Sequence, residues 1–158
     1  MQYNKKISFI KGFTLVELMV VLSILALLTG IIFSTLVDTK NSQSLEKDTD
    51  TVVEILLQAR SQTLSSHNAS QYGVHFSSPN VTLFAGTSYS SSDPNNSNFK
   101  LSSSDTILTI SLAGGGNDVI FNRLSGETIQ NGSIILSSVA TSRTKTVTIY
   151  KTGLVEYK

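Results

Sequence analysis

An uncharged, mostly apolar run from residue 18 to residue 37 constrains this chain more than any other feature. At ~1.5 Å per residue, roughly twenty helical residues cross a hydrocarbon core of ~30 Å. A single segment can satisfy its backbone in lipid only as a helix. The sequence therefore predicts a transmembrane helix over residues 13–37. Lys5, Lys6 and Lys11 precede this predicted helix and no acid does, which predicts a cytoplasmic N-terminus and an external remainder.

The run opens with Lys11-Gly12-Phe13-Thr14-Leu15-Val16-Glu17. An acid such as Glu17 inside a membrane costs about 2.5–3.5 kcal/mol on insertion scales. A secretory signal peptide would have an apolar region of about 7–15 residues and a small-residue cleavage site, and neither fits here. A plain signal anchor would let Glu17 reach back to the cytoplasmic face. A leader cut between Gly12 and Phe13 explains the whole pattern, and we favour it.

This pattern resembles the N-termini of type IV prepilins and of type II secretion pseudopilins. The resemblance implies that residues 1–12 are a type III leader, with Gly12 required at the cut and Phe13 N-methylated after it. It also implies that Glu17 recruits and registers subunits during assembly. The partners would be other pilin or pseudopilin subunits, a prepilin peptidase and an assembly platform, in the bacterial cytoplasmic (inner) membrane and then in a filament.

The implied role of Glu17 has a physical basis. Cleavage frees the α-amine of Phe13 one helical turn from Glu17, on the same chain or facing a neighbour. Pairing two opposite charges offsets the cost of removing them from water, whereas one unpaired charge is costly.

The rest of the composition favours a structural protein over an enzyme. The chain has 158 residues, a net charge of +1, no cysteine and 15% charged residues, so thiol chemistry and a global attraction to nucleic acid are excluded. His67 and His75 are the two histidines, and nothing in the sequence places a carboxylate beside either. Asp93, Asn95, Asn96 and Asn98 could supply calcium ligands but lack the EF-hand spacing. We predict no catalytic residue, no metal and no cofactor.

Beyond the run, residues 38–68 predict an amphipathic continuation of the helix. Apolar residues recur there at spacings of three, four and seven: Leu45, Val52, Val53, Leu56, Leu57 and Leu64. An alternative is two helices with a hinge at residues 39–44, where Asn41, Ser42 and Ser44 favour helix ends.

Residues 69–158 predict a β-rich globular domain. Segments 72–76 and 81–85 flank Ser78-Pro79-Asn80 and predict a hairpin, whereas residues 87–106 predict a long exposed loop. Further strands are predicted at 107–112, 119–121, 133–139, 146–150 and 154–157. The prediction is an α+β, pilin-like fold of six or seven strands. A long N-terminal helix, transmembrane in its first half, packs on a C-terminal antiparallel β domain.

The end of the predicted helix and the β domain also carry shorter sequence marks in a recognisable order. These are Gln58-Ala59-Arg60, Tyr72-Gly73-Val74, Val119-Ile120-Phe121 with Gly126, and Val147-Thr148-Ile149 with Thr152-Gly153. Their order resembles the GspH minor pseudopilins and the related FimT minor pilins. The resemblance implies a minor subunit of a type IV pilus or a type II secretion pseudopilus.

Two alternatives remain open. Some FimT-like proteins act in DNA uptake through basic residues towards the C-terminus, and Arg143, Lys145 and Lys151 are candidates for weak nucleic-acid contacts. The sequence favours this less, because Gly153 is followed by Leu154-Val155-Glu156, with an acid and no arginine. The other alternative is a single-span anchored β domain that never assembles.

Overall fold

The computed structural model describes residues 12–158, without the side chains of residues 33–38. The predicted leader therefore lies outside the described residues, apart from Gly12. The chain consists of two compact units, one ending at Val37 and the other spanning Asp38–Lys158.

The fold consists of one long helix followed by eight strands. The elements are α1 (Leu15–Leu64), β1 (Tyr72–Ser77), β2 (Asn80–Ala85), β3 (Ser97–Lys100), β4 (Asp105–Leu112), β5 (Asp118–Ile120), β6 (Gly132–Ser138), β7 (Thr144–Ile149) and β8 (Val155–Tyr157). Two four-stranded sheets have the orders β3-β2-β1-β5 and β4-β6-β7-β8, and every pair is antiparallel. The predicted α+β class is confirmed. Residues 39–44, where the sequence leaves a hinge open, are helical.

The second half of α1 buries one stripe, which differs from the predicted stripe at several positions. Leu45, Val52 and Leu56 are buried as predicted, but Leu57 and Leu64 are 44% and 41% exposed. Ile55 and Ala59 are buried instead. Each helical residue turns about 100° from the one before it, so Leu57 points away from a stripe centred near Leu56.

The predicted loop at residues 87–106 is wrong over its second half. Ser97–Lys100 forms β3, Leu101 is buried, and β4 begins at Asp105. Strand β3 is an edge strand whose one apolar residue is Phe99, so its sequence shows no alternation. Its position comes from pairing with β2, where Phe99 lies opposite Val81.

The helix and both sheets share one hydrophobic core. Its largest fully buried side chains include Ile55 and Leu56 of α1, Phe76 of β1 and Ile134 and Leu136 of β6. Because a strand points alternate side chains to opposite faces, these residues mark the sheet faces turned to the core.

Two hydrogen bonds from Arg60 join the end of α1 to two turns of the β domain. The Arg60 Nε–H donates to the carbonyl of Gly126 at 3.1 Å, and its Nη2 donates to the carbonyl of Thr152 at 3.4 Å. Gly153 has φ +76°, and a Cβ there would stand 1.9 Å from the Gly126 carbonyl oxygen. Arg60, Gly126 and Thr152-Gly153, far apart in the sequence, therefore form one contact.

Candidate functional site

The first turn of α1 is capped by Thr14. The backbone N–H of Glu17 donates to Thr14 Oγ1 at 3.2 Å, and the helix begins at Leu15. Thr14 is therefore the N-cap and Glu17 the third helical residue, which is the spacing of a capping box. This cap was missed in the sequence, although its signal, a threonine three residues before a glutamate, is present there. Such a cap is typically worth about 1 kcal/mol.

The cap places Glu17 at a defined position on the helix. Glu17 lies in the first turn, where unpaired backbone N–H groups and the helix dipole favour a negative charge. Its side chain is exposed, and so is Phe13, at 85%. The beginning of the apolar helix thus exposes the carboxylate of Glu17 and, four residues before it, the ring of Phe13.

The first part of α1 has an apolar surface that is exposed among the described residues. Residues Leu15–Ile32 have a mean hydropathy of 2.6, and none of them is buried, so length and composition allow this helix to cross a membrane. Its Ser23 and Thr29 hydroxyls donate to the carbonyls of Met19 and Leu25 at 2.6 Å, so these polar groups are satisfied within the helix. An apolar surface of this extent requires lipid or other apolar helices around it.

Gly12 has no structural reason to be glycine among the described residues. No described atom lies within 4 Å of the position that a Cβ would take there. The same holds for Gly30, in the middle of the apolar helix. A requirement for glycine at position 12 would therefore come from another protein that handles this peptide bond.

The candidate basic residues lie in separate settings. Arg143 precedes β7 and donates from Nη1 to Ser42 Oγ at 2.9 Å. Lys145 lies on β7, with its Nζ 5.5 Å from the ring centroid of Tyr157. Lys151 follows β7 and lines a cleft with Glu156. At ~3.3 Å per residue, β7 extends over roughly 20 Å, and Arg143 and Lys151 lie beyond its opposite ends, so the structure does not bring the three residues into one patch.

The expectation that neither histidine has a carboxylate beside it is wrong for His75. Strands β1 and β5 place His75 opposite Asp118, and His75 Nδ1 lies 2.6 Å from Asp118 Oδ1. The His75 ring also stacks on Tyr89, with ring centroids 3.8 Å apart. The stacking of His75 on Tyr89 holds the loop that carries Tyr89 against the sheet. His67 lies 3.0 Å from the Tyr72 hydroxyl.

The loop residues considered for calcium are used in local hydrogen bonds. Asp93 Oδ1 accepts from the backbone and side-chain N–H groups of Asn95, at 2.9 and 3.0 Å. The Asn98 Oδ1 accepts from Thr82 at 2.6 Å, and Asn96 donates to the Ser90 carbonyl. Within residues 12–158, no three or more histidine, aspartate or glutamate side chains converge as a metal site.

Comparison with known families identifies the N-terminal pattern. Residues 8–33 match the family described as the prokaryotic N-terminal methylation motif. No curated protein and no solved structure matches the chain. The match covers the beginning of the chain, and together with the α+β architecture it supports a similarity to type IV pilin-like proteins. Proteins with this motif are structural pilins and generally not enzymes, and the motif implies processing by a prepilin peptidase and assembly with other pilin subunits. With the apolar helix, it indicates a single-pass membrane anchor.

Proposed function

We propose that this chain is a minor pilin or pseudopilin of the GspH/FimT kind, a structural subunit of a type IV pilus or a type II secretion pseudopilus. One observation carries the proposal: the methylation motif at residues 8–33 coincides with an exposed apolar helix whose capped first turn presents Glu17. The order of the short sequence marks, from the end of α1 through the β domain, supports the narrower assignment.

In this proposal the chain has four functional segments. Residues 1–12 are the leader, 13–37 the membrane span, 38–68 the amphipathic continuation and 69–158 the globular domain. The N-terminus lies in the cytoplasm and the β domain outside the inner membrane. After cleavage between Gly12 and Phe13 and methylation of Phe13, the helix leaves the bilayer for the filament on an assembly platform.

Glu17 would select the position of the subunit in the filament. Its backbone is held by Thr14, and its carboxylate lies one turn from the amine that cleavage would create at Phe13. In a lipid-like filament core, the amine of a neighbouring subunit is the complementary charge. A pair of this kind forms at one register and leaves both charges unpaired at any other.

Co-expression of the full chain with a prepilin peptidase in bacterial membranes tests the processing step. We expect the intact mass and N-terminal sequence to show a chain that starts at methylated Phe13. Gly12→Val should abolish this product, because the proposal requires glycine at the cut, whereas Gly30→Val should leave it unchanged. Gly30 is a matched control, because a Cβ at either position has no described atom within 4 Å. A wild-type chain that keeps Met1, or equal processing of the two variants, would contradict the proposal.

A further inference from the structure

Two carboxylates are buried where the second half of α1 meets β4. Asp48 and Asp105 are 7% and 4% exposed. Asp48 accepts hydrogen bonds from the Ser102 N–H at 2.7 Å and the Ser102 hydroxyl at 3.2 Å. Asp105 Oδ2 accepts from Ser44 Oγ at 2.8 Å. Ser44 lies one helical turn before Asp48, so both face the start of β4.

Neither carboxylate has a positive partner. Among the described residues, the one ion pair within 4 Å is that of His75 with Asp118. Burial is the main cause that raises the pKa of Asp48 above its usual range, and the nearby Asp105 carboxylate raises it further. Two buried carboxylates this close to each other are costly unless a proton or a cation lies between them.

Two buried oxygens at the same place have no hydrogen-bond partner. They are Asp105 Oδ1 and Ser138 Oγ, and Ser138 is fully buried. Asp105 lies directly opposite Ser138 in the β4–β6 ladder, so both side chains stand on one face with Cβ atoms about 4.5–5.5 Å apart. That face is turned to α1, because Asp105 accepts a hydrogen bond from Ser44 of the helix.

We propose that Asp48, Asp105 and Ser138 form a site for a hard divalent cation of the calcium type. The donors are all oxygen, which hard cations prefer. A divalent cation would balance both carboxylates and give Asp105 Oδ1 and Ser138 Oγ a partner. A proton shared by the two carboxylates would neutralise one charge and leave Ser138 unpartnered. The cation therefore accounts for more of the observed arrangement.

The surroundings set the expected affinity. Asp48 and Ser102 line a cleft of about 360 Å³, so the cleft reaches the Asp48 side of the proposed site. Lys47 and Lys100 line the same cleft, and their charges oppose a cation. With two carboxylates and these lysines, the affinity belongs in the range of about 10⁻⁴–10⁻³ M found in extracellular calcium modules. The bound ion would fasten α1 to β4, whatever machine the subunit serves.

Thermal unfolding of the full chain in detergent micelles tests the site. After treatment with EGTA, added calcium should raise the Tm in a saturable way. At a concentration ten times the dissociation constant, the folded-to-unfolded ratio should rise about elevenfold, since the factor is 1 + [L]/Kd. Equilibrium dialysis with calcium should show one site. Asp105→Asn, which keeps the shape of the side chain, should abolish both effects. Glu54→Gln, an exposed acid on the same helix, should keep them.

Two outcomes would overturn the proposal. If calcium has no effect on the wild type and Asp105→Asn raises the Tm in EGTA at neutral pH, the carboxylates share a proton instead. If the calcium effect survives both Asp105→Asn and Asp48→Asn in folded protein, the ion binds elsewhere. Circular dichroism of each variant before heating establishes that it is folded.

Discussion

Single polar residues in the apolar helix fall into two kinds. Ser23 and Thr29 are satisfied by carbonyls of their own helix, so they need nothing from outside. Glu17 differs, because its backbone N–H is bonded to Thr14 while no hydrogen bond joins its carboxylate to another described residue. An unpaired acid at the beginning of a membrane helix is costly. In the proposed assembly, the amine of a neighbouring subunit is the partner of this carboxylate.

Replacing Glu17 by Ala should separate assembly from membrane insertion. We expect Glu17→Ala to insert and to be cleaved like the wild type, since the substitution removes a charge from an apolar segment. Incorporation into filaments should fall by more than a hundredfold, because losing one member of a buried ion pair costs about 3–5 kcal/mol. Cross-linking to co-assembled subunits measures this loss. Glu54→Ala, an exposed acid of the same helix, should assemble normally; equal assembly of Glu17→Ala would exclude the proposed role.

Asp48 should make stability depend on pH when no divalent cation is present. Its pKa in the folded chain is raised above 3.8, so the folded state binds the proton more tightly than the unfolded state. The stabilisation is present below pH 3.8 and is lost as the pH rises through the folded pKa. The charged groups that face Asp48 are Asp105 and the two lysines of the same cleft, Lys47 and Lys100.

Urea unfolding in EGTA at several pH values measures this dependence. The free energy of unfolding should fall as the pH rises from 4 towards neutrality, and Asp105→Asn should reduce the slope because one negative charge is gone. Added calcium should restore stability at the higher pH. A flat profile in EGTA for the wild type would show that Asp48 is not perturbed.

Among the elements, those with a local signal agree with the sequence and those set by distant pairing do not. The β1–β2 hairpin and the turn at Gly153 follow from alternation, proline and glycine, and the structure has both. Strand β3 has no such signal and forms because β2 offers a partner. The stripe on α1 was predicted at the right spacing but included Leu57 and Leu64, since periodicity alone does not fix the centre of a buried face.

The contact of Arg60 with the turns at Gly126 and Thr152 depends on Gly153 having no side chain. Gly153→Ala would force a left-handed backbone, which costs about 1–2 kcal/mol, and would also drive a Cβ into the Gly126 carbonyl. Gly115→Ala provides a matched control, because Gly115 has φ +73° and nothing within 4 Å of a Cβ. We expect Gly153→Ala to lose at least about 1 kcal/mol more than Gly115→Ala in urea unfolding. Equal losses would show that the turn shifts to accept the methyl group.

At the scale of the whole molecule, the sequence predicted the parts that its linear order encodes. The apolar run, the methylation motif and the succession of helix and strands are all local patterns. The buried polar contacts are not: His75 and Asp118 are 43 residues apart, and Ser44 and Asp105 are 61 apart. Such pairs depend on strand register and on the rotation of α1, which a single sequence does not specify. The cap at Thr14 could have been predicted from the sequence, because Thr14 and Glu17 lie only three positions apart.

The unit Asp38–Lys158 should fold without the residues before it. It contains the shared core, both sheets and the buried stripe of α1, whereas the described residues before it contribute no buried side chain. A fragment beginning at Asp38 removes the apolar surface of Leu15–Ile32, so we expect it to be soluble without detergent and monomeric. Its circular dichroism should show helix and strand, and it should unfold in one cooperative step in urea. The matched variant Val52→Ala, which opens a cavity at a fully buried position, should lower the free energy of unfolding by roughly 1–3 kcal/mol while keeping the same transition. A fragment that binds hydrophobic dyes and unfolds without cooperativity would show that the apolar half of the chain is needed for the fold itself.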